Sequence, residues 1–177
     1  MMKRKWWHVL GGAGCLTAAV TLILVAPRQP APPDPTPTPA APVVLTQPAA
    51  AVVDRIIDGD TLVLTDGRHV RLLGVDTPEK GQCWAKEATT ALATLTPPGA
   101  PVTLTPDPTQ ATLDKYGRTL AYVDSPTTGD ASEQLARQGA AKVYVYQGKP
   151  VQRAATYTAA EQLARSNGLG IWACPAS

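Results

Sequence analysis

The stretch Val52–Leu73, VVDRIIDGDTLVLTDGRHVRLL, decides how this chain is read. Three runs rich in β-branched residues, Val52–Ile57, Thr61–Leu64 and His69–Leu73, are parted by Asp58-Gly59 and Asp66-Gly67. Such pairs accept the backbone conformations that tight turns between antiparallel strands demand, so the stretch predicts a meander of three strands. Downstream, Val102–Thr105 and Thr119–Val123 read as two further strands. Helix formers occupy Cys83–Leu95 before Pro97-Pro98-Gly99, Ser132–Gln138 before Gly139, and Arg153–Arg165 before Asn167-Gly168. Five short strands, with about three helices between and after them, predict an α+β domain: a five-stranded OB-type Greek-key barrel capped by helices.

Ahead of the meander the composition changes twice. Over residues 1–26, a basic stub of Lys3, Arg4 and Lys5 and an interfacial pair, Trp6 and Trp7, precede the uncharged, largely apolar run Val9–Val25. That run is about the minimum length for a spanning helix, and its basic side belongs in the cytoplasm. The expectation is a signal-anchor segment that ties the protein to the membrane and places everything after Ala26 outside the cytoplasm. Ala26 is followed by Pro27, which suits an A-x-A-type cut poorly, so an uncleaved anchor is favoured over a cleaved signal and a secreted product. Cys15 is preceded by Ala13 and Gly14, but the apolar run continues well past it, so it reads as an ordinary membrane cysteine and not a lipidation site.

Residues 27–50 hold half of the chain's 18 prolines, interleaved with Ala and Thr. With too little apolar mass to fold alone, they predict a stiff, disordered spacer. A proline-rich ligand for SH3-type domains would need a cytoplasmic address, which this topology denies. The folded domain is expected over residues 51–177.

The chain of 177 residues leaves room for one compact domain plus these appendages. Phe is absent and aromatic residues make up 5%, so the core must rest on Val, Leu, Ile and Ala. The formal charge of +2 misleads as a guide to partners. Lys3, Arg4, Lys5 and Arg28 precede residue 51 with a single acid, Asp34, which leaves 12 basic and 13 acidic residues of the total 16 and 14. A near-neutral domain lacks the broad positive field of a protein that coats nucleic acid, so any grip on phosphate must come from a few placed side chains or from a bound cation.

The candidates for such placement are Asp60, at the turn before the second strand, and Asp76, beyond the strand that carries Arg71. If the strands pair as a meander, both carboxylates meet at one end of the barrel, where they repel unless a cation or proton intervenes. Hard oxygen ligands of this kind suit calcium. Each fragment alone is weak: Asp-Gly-Asp-Thr is more often a plain turn and lacks EF-hand spacing, and a lone Arg71 or Arg118 is more often solvated. His69 has no cysteine or histidine at metal spacing, His8 belongs to the membrane flank, and no nucleophile elbow is present.

The combination is specific. IDGDT (Ile57–Thr61), RLLGVDTPE (Arg71–Glu79), DKYGRTLAYV (Asp114–Val123), GAAKVYVY (Gly139–Tyr146) and GIW (Gly170–Trp172) stand in one order. In these stretches the chain resembles the staphylococcal nuclease (thermonuclease) family, over Val52–Trp172. The resemblance implies an OB-type barrel and a calcium-dependent nuclease that cleaves the 5′-O–P bond of DNA or RNA and leaves a 3′-phosphate. It implies Asp60, Asp76 and the backbone carbonyl of Thr77 as ligands for Ca2+. Glu79 would be the group that orients or deprotonates the attacking water, and Arg71 and Arg118 the pair that binds the scissile phosphate. Lys115, Tyr116, Tyr144 and Tyr146 match positions that contact the substrate's terminal phosphate and a nucleobase. The arginine fork suits oxygens that gain charge during attack, and a preorganised donor there typically supplies roughly 3 to 4 kcal/mol.

Cys83 and Cys174 both follow the membrane segment, on the side where disulfides persist, and bridging them would close most of the domain. A disulfide is expected, against two free buried thiols. The expected protein is thus an exported, membrane-tethered nuclease, monomeric, with nucleic acid as its partner. Its rivals are a catalytically silent nucleic-acid-binding module and a surface scaffold domain.

Overall fold

The computed structural model describes residues 44–175. The anchor expected over 1–26 and most of the spacer expected over 27–50 lie outside the described residues; among those described, no helix is long and apolar enough to cross a membrane.

The predicted meander forms. Strands β1 (Ala49–Ile56), β2 (Thr61–Leu64) and β3 (His69–Leu72) pair antiparallel in sequence, with Ile56 opposite Leu62 and Thr61 opposite Arg71. A register shift between Val53 and Arg55 divides β1. Its second half faces β2, while Ala49–Val52 pair with β5 (Pro101–Thr105). One bulged strand thereby serves two sides of the barrel, because the extra residue bends the strand and tightens its twist. β6 (Thr119–Ser125) lies antiparallel to β5 and parallel to β3, Val70 opposite Thr119 and Leu72 opposite Ala121. That parallel pairing closes a five-stranded barrel of mixed sense, with three α-helices around it, consistent with the expected OB-type architecture.

One boundary differs from the sequence reading. Leu45 is buried in the core at 4% exposure, and Ala49 and Ala50 sit opposite Leu104 and Thr103. The folded unit therefore begins before residue 51, inside the stretch assigned to the spacer. Alanine is a poor strand former, and only the partner strand reveals its role. Short strands also escaped the reading. β4 (Val75–Asp76) pairs with β8 (Lys142–Val143), and β7 (Gly129–Asp130) folds back antiparallel on the end of β6.

The helices bury one stripe each. Helix α1 (Ala85–Leu95) buries Ala88, Leu92 and Leu95; α3 (Ala154–Ser166) buries Tyr157, Ala160 and Ala164. These spacings put the buried groups on one face. Helix α2 (Ala131–Arg137) is capped by Asp130, whose side chain accepts from Ser132 N at 2.8 Å and Glu133 N at 3.3 Å. The same carboxylate accepts from Tyr157 Oη at 2.6 Å and Arg153 Nη1 at 2.7 Å, so α2 and α3 share one anchor. With no Phe available, Tyr157 is the largest fully buried side chain, and Leu62, Leu64, Leu72, Leu92, Leu104 and Leu135 are buried as completely. Each leucine so buried contributes roughly 1.5–3 kcal/mol. After α3 a 3-10 turn (Gly170–Ala173) leads to Cys174, whose sulfur lies 2.01 Å from that of Cys83, with Cα atoms 6.2 Å apart.

Candidate active site

The site begins with the Asp58-Gly59-Asp60 turn. Ile57 N donates to Thr61 O at 2.9 Å, and Asp58 Oδ1 accepts from Asp60 N at 3.1 Å. Gly59 is required by packing. A Cβ there would lie 2.7 Å from Thr77 Oγ1 and 2.8 Å from the Ala88 Cβ, so only glycine lets the turn press against Thr77 and α1.

That approach delivers Thr77 to Asp60. Asp60 Oδ2 accepts from both Thr77 N and Thr77 Oγ1 at 3.0 Å. Its other oxygen accepts from Thr61 Oγ1 at 3.2 Å and forms an ion pair with Arg71, whose Nε lies 2.9 Å away. Three hydrogen bonds and one ion pair thus hold this carboxylate. Asp60 is only 6% exposed, and that burial is the largest influence on it, lifting its pKa above the ordinary value. Arg71 and the Thr77 donors work against the shift, while the nearby Asp58 carboxylate adds to it.

Arg71 spans the site from β3. Beyond Asp60, Nη1 donates to Leu72 O and Val75 O, both at 2.8 Å, and Nη2 donates to Asp76 Oδ1 at 2.9 Å. The guanidinium is thus held flat between the two acids and the backbone leading to β4. Asp76 itself is more than half exposed. Glu79 is exposed, and its carboxylate makes no hydrogen bond to another described residue. Its backbone N donates to Gln82 Oε1.

Arg118 enters from the start of β6. Asp114 Oδ2 accepts from Arg118 Nε at 2.7 Å, and Nη1 reaches Thr61 Oγ1 at 3.3 Å. Asp114 Oδ1 also accepts from the backbone N of Tyr116 and Arg118. Burial opposes the Asp114 charge, but these donors outweigh it and hold its carboxyl below the ordinary value. Lys115 Nζ and Arg118 Cζ lie 4.8 and 5.5 Å from the centre of the Tyr116 ring, a cation–π pair at the cleft mouth.

A cleft of about 940 Å3 gathers these groups. Asp60, Arg71, Asp76, Thr77, Glu79 and Arg118 line it. So do Lys115, Tyr116, Tyr144 and Tyr146, with all three tyrosines exposed. The structure brings every sequence-predicted site residue apart from the two cysteines to this one cleft, while His69 sits exposed on β3 outside it. Sequence reasoning missed Asp58, Asp114 and Gln110. Gln110 Nε2 donates to Lys149 O at 3.1 Å and so ties one wall to the Tyr146–Lys149 hairpin. Asp114 opens one of the quoted runs, and an aspartate at the first position of a turn is a signal for just such backbone capture.

The donors fit a hard cation. Asp58, Asp60, Asp76 and the Thr77 carbonyl offer only oxygen, the ligand type that hard cations prefer. The fit has a condition: a cation ligated by Asp60 must share that carboxylate with Arg71, whose Nε lies 2.9 Å from Oδ1. Consistent with that, no three His, Cys, Asp or Glu groups among the described residues are gathered as they stand to enclose a metal ion.

The profile of the family described as "Staphylococcal nuclease homologue" matches residues 69–174. The chain is similar to the protein named Micrococcal nuclease of Shigella flexneri, 34% identical over 134 residues that cover 70% of this chain and 73% of that protein. It is similar also to a protein named Uncharacterized endonuclease of Escherichia coli O157:H7, at 33% identity over 68% of this chain and 74% of the relative. A third relative, named Thermonuclease, of Staphylococcus intermedius, is 35% identical over 68% of this chain and 74% of its own length.

Proposed function

The chain belongs to the family of staphylococcal nuclease homologues and is a nuclease; on that premise we propose that its cleft hydrolyses DNA and RNA phosphodiesters by calcium-assisted attack of water. The observation that carries the reading is the convergence of Asp60, Asp76, Glu79, Arg71 and Arg118 on one cleft.

In this reading Asp60, Asp76 and the Thr77 carbonyl hold Ca2+, with Asp58 close enough to add charge. Bound there, the ion supplies Lewis-acid neutralisation of phosphate charge and a lower pKa for nearby water. The exposed carboxylate of Glu79, free of described partners, holds a water and takes its proton as the oxygen attacks phosphorus. The P–O5′ bond breaks, the 5′ oxygen leaves and takes up a proton, and the phosphate stays on the 3′ side. Arg118, locked by Asp114, presents N–H groups to the non-bridging oxygens. Arg71 has three of its five N–H groups hydrogen-bonded and its Nε paired with Asp60, so it engages phosphate with the N–H groups left over or by exchanging an acid's oxygen for a phosphate oxygen. Lys115 meets a terminal phosphate. Tyr116, Tyr144 and Tyr146 offer ring faces to bases, a contact that every base can make, so sequence preference is low.

The same proposal places the domain outside the cytoplasm, tethered by residues 9–25 and acting as a monomer, with Cys83 and Cys174 disulfide-bonded. The test is a time course on linear and on circular single-stranded DNA, with calcium and with excess EGTA. Cleavage of both substrates that stops in EGTA and returns with calcium is expected; undiminished cleavage in EGTA overturns the calcium mechanism, and resistance of circles overturns internal cutting.

A further inference from the structure

Glu79, the carboxylate that the mechanism needs unencumbered, sits on the irregular segment between β4 and α1, where no sheet or helix fixes it. Its position depends on what the segment itself provides. Glu79-Lys80-Gly81-Gln82 is a β-turn: Gln82 N donates to Glu79 O at 2.9 Å. Gly81 supplies the positive φ, 92°, that the third position of a type II turn demands. Gln82 then adds a bond that the turn does not require, since its side-chain Oε1 accepts from Glu79 N at 2.8 Å. Both polar backbone atoms of Glu79 therefore end on one residue.

The other side of Gln82 is fixed. Its carbonyl accepts from Ala85 N, the first residue of α1, at 3.3 Å. The next residue, Cys83, pairs with Cys174 beyond the last turn of the chain. Gln82 is exposed, so water could satisfy its amide equally well and the bond to Glu79 gains the fold little. Its consequence is local, connecting the Glu79 backbone to the rigid start of α1.

We propose that Gln82 is a positioning residue for Glu79: its side-chain carbonyl fixes the Glu79 backbone and thereby the carboxylate at the cleft. The inference rests on the role given to Glu79 above. A reacting group displaced by about 1 Å loses up to roughly a hundred-fold in rate, so a short polar tether of this kind has kinetic weight without thermodynamic weight.

The experiment uses the full chain, a single-stranded oligonucleotide and saturating calcium. Gln82→Met keeps the side-chain length and removes the carbonyl; Gln82→Glu keeps an acceptor. Gln82→Met is expected to lower kcat roughly ten- to a hundred-fold with KM and melting temperature unchanged, and Gln82→Glu to restore most of the rate. Added to Glu79→Gln, Gln82→Met is expected to cost nothing more, because the tether then holds no functional carboxylate. Gln82→Met at wild-type rate, beside an impaired Glu79→Gln, refutes the positioning role alone. An equal loss in both backgrounds refutes it too, as a general structural effect. Glu79→Gln at wild-type rate overturns the functional reading beneath it, and Gln82 with it.

Discussion

Two buried aspartates, Asp60 and Asp107, show how a carboxylate's neighbours decide its work. Asp60 collects Arg71, Thr61 and two donors from Thr77, yet burial still lifts its pKa. Asp107, 3% exposed, is pushed the same way by burial, but Thr109, Tyr122 and the Gln152 backbone N outweigh it and hold its carboxyl below the ordinary value. A depressed carboxyl contributes stability above the ordinary aspartate range and loses it as pH falls through the depressed value. Asp107→Asn is thus expected to cost roughly 1.5–3 kcal/mol at neutral pH and to flatten the acid-side loss of stability. Urea melts from neutral to strongly acid pH check this, and an unchanged acid limb contradicts it. Asp60, Asp76, Glu79, Arg71 and Arg118 were singled out in the sequence through the family resemblance of three ordered runs, and the fold brings all five to one cleft. The Thr77 donors to Asp60 were not foreseen, since Thr77 arrives only when Gly59 allows the turn to press against it. Asp114 was quoted but given no role, although its grip on Arg118 is local, closed within one five-residue turn.

At the scale of elements, the junction of α2 with the 3-10 turn is the least forgiving contact. Gly139 and Gly170 meet backbone to backbone, both at positive φ, and Ile171 N donates to Gly139 O at 2.8 Å. A Cβ on Gly139 would stand 2.3 Å from Leu169 O, and one on Gly170 would stand 2.1 Å from Gly139 O. Gly139→Ala is expected to destabilise by about 3 kcal/mol, combining left-handed backbone strain with the clash. Gly67→Ala is the control: φ is 86° but a Cβ meets nothing within 4 Å, so roughly 1–2 kcal/mol of backbone cost remains. Equal denaturation midpoints for the two variants would contradict the close approach. The major strands and helices were readable because β-branched runs end at Asp-Gly pairs and helical stretches end at Gly, Pro or Asn-Gly. Two-residue strands such as β4 and β8 carry no periodicity, and the parallel closure of β3 on β6 spans almost fifty residues of chain, so neither leaves a local signal.

For the whole molecule, a core without Phe is held by many aliphatic contacts and, in our account, by a covalent link between residues 91 apart. Reducing Cys83–Cys174 is expected to lower stability by roughly 4–5 kcal/mol in the chain-entropy description and to slow cleavage by loosening the Glu79 segment. Two thiols that alkylate in the native, oxidatively purified protein contradict the link. The near-neutral domain also means that catalysis rests on the local cleft and not on a broad field. The most direct measurement of that claim is single-turnover cleavage of an oligonucleotide by Glu79→Gln with calcium, with affinity measured on the same sample. The account predicts that cleavage falls by roughly a hundred-fold or more while the oligonucleotide binds as tightly as to wild type. Wild-type cleavage by Glu79→Gln would contradict it.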